Sequence, residues 1–350
     1  MKKDYFKKIL DKKNKEVILI CELSGNHNNS FHHLKKLINC AIDQKVDLVK
    51  FQVYKPETLT LNTHSKHFKI THKNKWSKYR NLYNLFKKSH TPWNWIRILS
   101  QILDKNKINW FASAFDQTSV DFLESLNCKA YKIASPEITD INLINYIASK
   151  NKPIILSTGM SEEKDLNLAV KTIKKYHSKF GILKCTSKYP ASYKDLNLSS
   201  IKKIKKKHNC VVGFSDHTLD DLAANISVVF GSTIIEKHFK LDKDTTSIDS
   251  HFSVPISNYQ IIKKSLNNVN HCIGSENLGF KISQEQKNSR RSIYFSQDIK
   301  KNNKLTIENI KSIRPGFGLH PKFLKKILGK SVKRNLRYGS PLNLKDINFK

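Results

Sequence analysis

Short apolar, β-branched runs alternate along this chain with amphipathic stretches of helical period. The runs predict eight strands, at 17–23, 48–52, 110–113, 130–133, 153–157, 181–184, 211–214 and 233–239. Between them the helical period predicts helices at 31–44, 119–126, 142–149, 162–176 and 219–227. Thr118 followed by Asp121, and Thr218 followed by Asp221, look like capping boxes at two helix starts. Strand and helix in alternation predict βα repeats on a parallel sheet, and eight such units predict an α/β fold closed as a (β/α)8 TIM barrel. The interval 53–109 is too long for one simple crossover and predicts an inserted excursion there.

Beyond about residue 286 the texture changes. Strand-like pieces at 292–295, 296–299 and 306–310 no longer alternate with long helices, and the stretches at Arg314–Gly318 and Tyr338–Pro341 are turn-rich. The expected division is a barrel domain over 1–285 and a small β-rich domain over 286–350, joined by a charged linker at 284–291.

Composition narrows the class. Of 350 residues, 39% are hydrophobic and 10% aromatic, enough for a sizeable core. No run of eighteen apolar residues occurs, so no membrane partner is expected. The basic start lacks the apolar stretch of a signal peptide, and the expected compartment is the cytoplasm. The six cysteines are scattered without a C-x-x-C pair, which predicts reduced, packed thiols rather than a disulfide frame or zinc knuckle. The net charge of +34 is large enough to suggest nucleic acid. Its lysines, however, fall as singles and pairs over the whole length, and only 201–208 is dense, as an exposed helix face would be. Together with abundant Asn and Ile, this reads as the bias of an AT-rich genome. No nucleic-acid partner is expected, although the field favours an anionic substrate.

The polar residues inside the strand pattern carry the chemistry. Glu22, Lys50 and Gln52, Ser113, Lys132 with Ser135 and Glu137, Ser157, Ser187 with Tyr189, Ser215 with Asp216 and His217, and Glu236 with His238 all fall at or just past strand C-termini. In a (β/α)8 barrel those ends converge on one face, where such enzymes place their sites. Lys50 and Lys132, with the hydroxyls of Ser135, Ser157 and Ser215, suit a phosphate or carboxylate. A lone histidine is more often structural, but His217 and His238 end neighbouring strands and could share one divalent metal. Glu22 and Glu137 could serve as general acid or base, or could merely pair with a lysine. Asp216 is a candidate for orienting His217.

Seven segments carry a family resemblance in order along the chain: Cys21-Glu-Leu-Ser-Gly-Asn-His-Asn28, Val49-Lys-Phe-Gln52, Ala130-Tyr-Lys-Ile-Ala-Ser135, Ile155-Leu-Ser-Thr-Gly-Met160, Lys184-Cys-Thr-Ser-Lys-Tyr-Pro190, Gly213-Phe-Ser-Asp-His-Thr218 and Ile235-Glu-Lys-His-Phe239. Each is weak alone. In register they resemble the sialic acid synthase family, and the tail around Arg314-Pro-Gly-Phe-Gly318 resembles that family's antifreeze-like (SAF) domain. Glu22-Leu-Ser, Thr91-Pro-Trp-Asn-Trp95, Glu137-Ile-Thr-Asp140, Asp249-Ser-His-Phe-Ser253 and Gly316-Phe-Gly-Leu-His-Pro321 resemble the pseudaminic acid synthase branch.

The resemblance implies a transferase that condenses phosphoenolpyruvate with 2,4-diacetamido-2,4,6-trideoxy-β-L-altropyranose and water, releasing phosphate. It implies phosphoenolpyruvate held by Lys50, Gln52, Ser113, Lys132, Ser135, Ser157, Ser187 and Ser215, and sugar met by Tyr189, Asp249 and Arg314. Catalysis would fall to Glu22, Glu137 and His217. His217 and His238 would hold Mn²⁺ or Mg²⁺, and a homodimer would set each C-terminal domain over the partner's barrel. Ala114, Pro136 and the stretch 244–249 depart from the family's usual pattern, which bears on sugar identity more than on reaction type. A sibling synthase making N-acetylneuraminic or legionaminic acid is the alternative.

Overall fold

The strands of the first unit are runs in which almost every residue is buried, because one face looks into a barrel and the other onto a ring of helices. In β1 (Ile18–Glu22), β3 (Asn109–Ala114), β4 (Tyr131–Ile133), β5 (Ile154–Ser157) and β7 (Val211–Asp216) no residue is even half-exposed. With β2 (Leu48–Val53), β6 (Phe180–Cys185) and β8 (Ile234–Lys240), they pair in chain order, all parallel, and β8 pairs back onto β1. The eight predicted strands are therefore those of a closed barrel. A two-residue strand, β9 (Val254–Pro255), adds to the end of β8. This computed structural model describes residues 5–71, 75–274 and 281–349.

The chain divides into two compact units between Gly274 and Ser275, ahead of the predicted boundary at 285/286. Helix Tyr259–Ile273 is the last element that packs into the barrel core, through Tyr259, Ile262 and Leu266. The stretch expected as a charged linker, 284–291, includes a short helix, Gln284–Asn288, capped by the Ser283 hydroxyl. In the second unit β10 (Ser292–Phe295) and β11 (Ile310–Ile313) pair antiparallel over a separate core that includes Ile293, Phe295, Ile299, Leu305 and Ile327.

Neither predicted capping box forms. Asp116 caps helix Gln117–Ser125, accepting from Ser119 N at 2.9 Å, and a carboxylate there takes the place of Thr118. Thr118 instead donates to Asp116 at 2.6 Å, and Asp121 accepts from Tyr146. The Thr218 hydroxyl is likewise captured by Asp216 at 2.8 Å, and the helix begins later, at Leu222 with Asp221 as N-cap. The chain also ends several helices on an asparagine. Asn127, Asn151 and Asn209 take positive φ of 58°, 55° and 49°, the left-handed conformation that stops a helix.

At the N-terminal end of the barrel, Asp47 gathers its neighbours. Its carboxylate accepts from Leu19 N at 2.9 Å and from the Tyr5 hydroxyl at 2.8 Å, and pairs with Lys263. The Tyr259 hydroxyl donates to Leu19 O at 2.6 Å. This end is a sealed floor, and the polar strand ends are left to form the opposite, open face. The interval 53–109 holds the predicted excursion: helices Pro56–Leu59 and Leu82–Ser89 precede the crossover helix Trp93–Lys105.

Gly213 lies where β7 meets β8 most closely. A Cβ there would sit 2.2 Å from Ile234 O and 2.6 Å from Leu183 Cδ2. Gly213→Ala is expected to destabilise the barrel by about 1–3 kcal/mol through overpacking, read as a lower urea midpoint. An unchanged midpoint would mean that the strands part there without cost.

Candidate active site

Period-two alternation turns Glu22, Lys50, Gln52, Ser113, Ser215 and Glu236 toward one another across the barrel. Glu236 of β8 is the hub. Its carboxylate lies 3.2 Å from Lys50 Nζ and 3.4 Å from Lys132 Nζ, and accepts from the Ser215 hydroxyl at 3.0 Å. Lys50 also pairs with Glu22 at 3.0 Å and donates to Ser113 at 3.2 Å, while the Gln52 amide donates to Glu22 at 2.9 Å. All four charged groups are buried.

Burial alone would raise the Glu236 carboxyl, but the ammonium groups of Lys132 and Lys50 and the Ser215 hydroxyl hold it at about 2. Burial raises Glu22 above the usual carboxylate range, against the pull of Lys50. Lys132 is pushed down by burial, partly offset by Glu236, whereas its two carboxylate neighbours raise Lys50 against desolvation. The lysines are thus not a bare anion site. Each is already matched to a carboxylate.

Beyond this layer come the hydroxyls. Ser135 Oγ accepts from Gly159 N at 3.0 Å, and Ser187 Oγ lies 4.0 Å from Cys185 Sγ. A Cβ on Gly159 would stand 2.2 Å from Ser187 Oγ and 2.8 Å from Ser135 Oγ, so the glycine keeps a small polar cradle open. Ser157 Oγ is buried without a hydrogen-bond partner among the described residues. Glu137, on the turn Ser135–Thr139, also buries an unpartnered Oε2, and desolvation pushes its carboxyl up to about 7.

The two histidines meet with ring centroids 5.3 Å apart. His217 Nδ1 bonds Thr186 O at 2.9 Å, and His238 Nδ1 bonds the Ser24 hydroxyl at 3.0 Å. Ser24 in turn bonds the Asp249 carboxylate, which also accepts from Gly25 N at 2.8 Å. Burial lowers both imidazoles, His217 to about 4, so both are neutral near pH 7. Asp216 does not orient His217 as predicted. Successive residues of a strand point to opposite faces, and its carboxylate pairs with Lys237 at 2.7 Å.

Each histidine is held through Nδ1 and leaves Nε2 without a hydrogen-bond partner among the described residues, the arrangement of a metal-ligating imidazole. No group of three or more His, Cys, Asp and Glu is arranged to hold an ion among the described residues. The donor set there is thus two imidazoles, whose chemistry suits a divalent cation.

Tyr189 stacks near His217 at 4.3 Å between centroids, and Phe252 lies 4.8 Å from His238. Trp76, from the excursion, covers Tyr189 at 5.4 Å and donates to Ile248 O at 3.2 Å. Together with Gln52, Ser187, Tyr189, His238 and Asp249 they line a cavity of about 830 Å³. Arg314 belongs to the second unit. There it is exposed beside a turn fixed by Ser292, which donates to Pro315 O at 2.7 Å and accepts from Gly318 N at 2.8 Å.

Two features escaped sequence reasoning. Glu236 is visible as a strand-end carboxylate, but its role as hub depends on three other strands; its shared face with His238, two residues on, is the local signal. Trp76 carries no motif, and Phe252, though inside the Asp249–Ser253 segment, gives no sign in the sequence that it packs on His238.

The profile of the NeuB family matches residues 37–277, and that of the SAF domain matches residues 290–348. The pseudaminic acid synthase of Campylobacter jejuni is 37% identical over 336 residues, covering 95% of this chain and 97% of its own. An N,N'-diacetyllegionaminic acid synthase of Legionella pneumophila is 32% identical over 334 residues, covering 93% and 92%. The structure of an N-acetylneuraminic acid (sialic acid) synthetase from Leptospira borgpetersenii superposes with a TM-score of 0.69 at 27% identity, over 78% of this chain and 90% of that one. A profile that spans most of the barrel, and relatives this similar along nearly their whole length, establish that the chain belongs to the NeuB family.

Proposed function

We propose that the chain is a pseudaminic acid synthase, working in the cytoplasm on phosphoenolpyruvate and 2,4-diacetamido-2,4,6-trideoxy-β-L-altropyranose. One observation carries this reading. Two neutral histidines, two buried lysines and an unpartnered hydroxyl share the open end of a barrel whose chain is 37% identical to such a synthase.

Phosphoenolpyruvate is the anion that suits the cradle. Lys50 and Lys132 supply positive charge, and Ser135, Ser157 and Ser187 supply short donors around Gly159. Glu22 and Glu236 flank Lys50 and Glu236 pairs with Lys132 in a buried setting, and Gln52 and Ser113 hold the network in register. Tyr189 and Asp249 border the cavity on the sugar's side.

In the reaction, carbon 3 of the enol forms a bond to the sugar's aldehyde carbon, whose oxygen gains a proton. Water adds to carbon 2, and the bond from carbon 2 to the phosphate oxygen breaks, releasing phosphate. His217 and His238 would hold Mn²⁺ or Mg²⁺, which supplies Lewis-acid polarisation of a carbonyl oxygen when bound. Glu137, titrating near 7 with a free buried oxygen, is the group suited to take the proton from water. Glu22, tied to Lys50 and Gln52, is a positioning carboxylate.

The chain is read as a homodimer in which Arg314 of one subunit meets the sugar in the other's site. Its rigid, exposed turn suits a guanidinium aimed at a carbonyl.

Three measurements follow from this reading. Purified protein should release phosphate from phosphoenolpyruvate with the trideoxy diacetamido hexose, stop in excess chelator and recover with Mn²⁺. Release only with a mannose-type amino sugar would instead identify a sialic or legionaminic acid synthase, and full activity in chelator would remove the metal.

With Glu137 as base, kcat/KM should fall as pH drops through about 7, where the carboxyl becomes protonated. A Glu137→Gln variant should keep little activity and lose that inflection; the same inflection in the variant would assign it elsewhere.

Arg314→Ala and Glu137→Gln should each be inactive alone and recover activity when mixed and allowed to exchange subunits. Verified heterodimers that stay inactive would place Arg314 in its own subunit's site, and an active Arg314→Ala parent would show that it is dispensable.

A further inference from the structure

The cavity in front of the histidines has a second wall, which the condensation itself leaves unused. Leu59, Ile70, Leu82, Leu85 and Phe86 line it, all from the excursion between β2 and β3. Leu82, Leu85 and Phe86 are spaced i, i+3, i+4 and so share one face of helix Leu82–Ser89. None of the five belongs to the barrel core or packs against it. Leu59, Ile70, Leu82 and Phe86 are only half-buried. An apolar helix face without a core of its own is here turned to the cavity.

The wall is also held in place. The Tyr54 hydroxyl, just past β2, is 2.7 Å from Ser89 Oγ at the end of that helix. The Phe86 ring meets Tyr54 edge-on at 6.0 Å, and Trp93 Nε1 donates to Tyr54 O at 3.3 Å. The barrel thus contributes polar groups to the cavity, through Gln52, Ser187, Tyr189, His238 and Asp249, and the excursion contributes a mainly apolar surface on which Lys69, Thr71 and Ser89 are the polar residues.

We infer that this wall selects the sugar, taking the C6 methyl and acetamido methyl groups of a deoxygenated, N-acylated hexose and disfavouring its hydroxylated counterpart. The inference rests on the pseudaminic acid reading above. A methyl against leucines gains by leaving water. A hydroxymethyl in the same place leaves a hydroxyl without a partner. Apolar pockets reject an added hydroxyl only modestly, so the expected preference is about 10- to 100-fold rather than absolute.

The test compares kcat/KM for the trideoxy diacetamido hexose and for its 6-hydroxy counterpart in the wild type and in Leu82→Gln, Leu59→Gln and Leu82→Met. Leu82→Gln should lower the preference by about fivefold or more through the KM of the trideoxy sugar, that is, through lost uniform binding, with the KM of phosphoenolpyruvate unchanged. Leu59→Gln supplies the same reading should Leu82→Gln fail to fold, and Leu82→Met, which keeps the surface apolar, should retain the wild-type preference. An active wild type whose preference persists in both glutamine variants overturns the wall alone. Equal losses with both sugars, shared by Leu82→Met, assign the residue a structural role and overturn it too. A wild type inert on both sugars overturns the pseudaminic acid reading, and this inference with it.

Discussion

Four buried groups inside the barrel, Glu22, Glu236, Lys50 and Lys132, must remain in charge balance, and the rest of the open face is arranged around that constraint. Removing one partner of a buried pair leaves an uncompensated charge, which costs far more than the pair contributes. The two carboxylates raise Lys50 against its burial, whereas at Lys132 Glu236 offsets burial only in part. An anion reaching this site would meet ammonium groups that already have carboxylate partners. Its added charge must be met by hydroxyls and by the field of a chain carrying +34.

The histidines obey the complementary rule. Both are stripped of water, and at His238 the neighbouring His217 ring and lysines add to that effect, so they stay neutral and keep a lone pair for binding. Their orientation comes from elsewhere in the chain. The Asp249–Ser24–His238 chain joins the loop after β8 to the loop after β1, and Thr186 of the loop after β6 holds His217. Closure of β8 onto β1 is what brings the first of these about, so barrel topology and imidazole tautomer are one arrangement.

Much of this was legible in the chain. A lysine or glutamate in a run of valine and isoleucine is a local signal, and eight such runs with polar ends specify both the barrel and its working face. Where reading by adjacency replaced reading by period, it failed. Asp216 is next to His217 in the chain and therefore faces away from it, toward Lys237. Thr118 lost its expected capping role to Asp116, and the Thr218 hydroxyl was drawn to Asp216, because carboxylates nearby compete for the same groups. The apolar wall was not legible at all. Leu59 and Leu82 look like ordinary helix residues until the fold shows that no core lies behind them.

The asparagines at the helix ends bear on which glycines of this chain could be replaced. With only 11 glycines in 350 residues, several positions that need just a left-handed turn are held by asparagine, a side chain that tolerates that conformation. Glycines such as Gly159 and Gly213 remain where a Cβ would collide with a neighbour. Gly329 and Gly339 hold the left-handed conformation with open space where a Cβ would go, so an asparagine would be tolerated there, whereas any side chain at Gly159 or Gly213 would have to displace a neighbour.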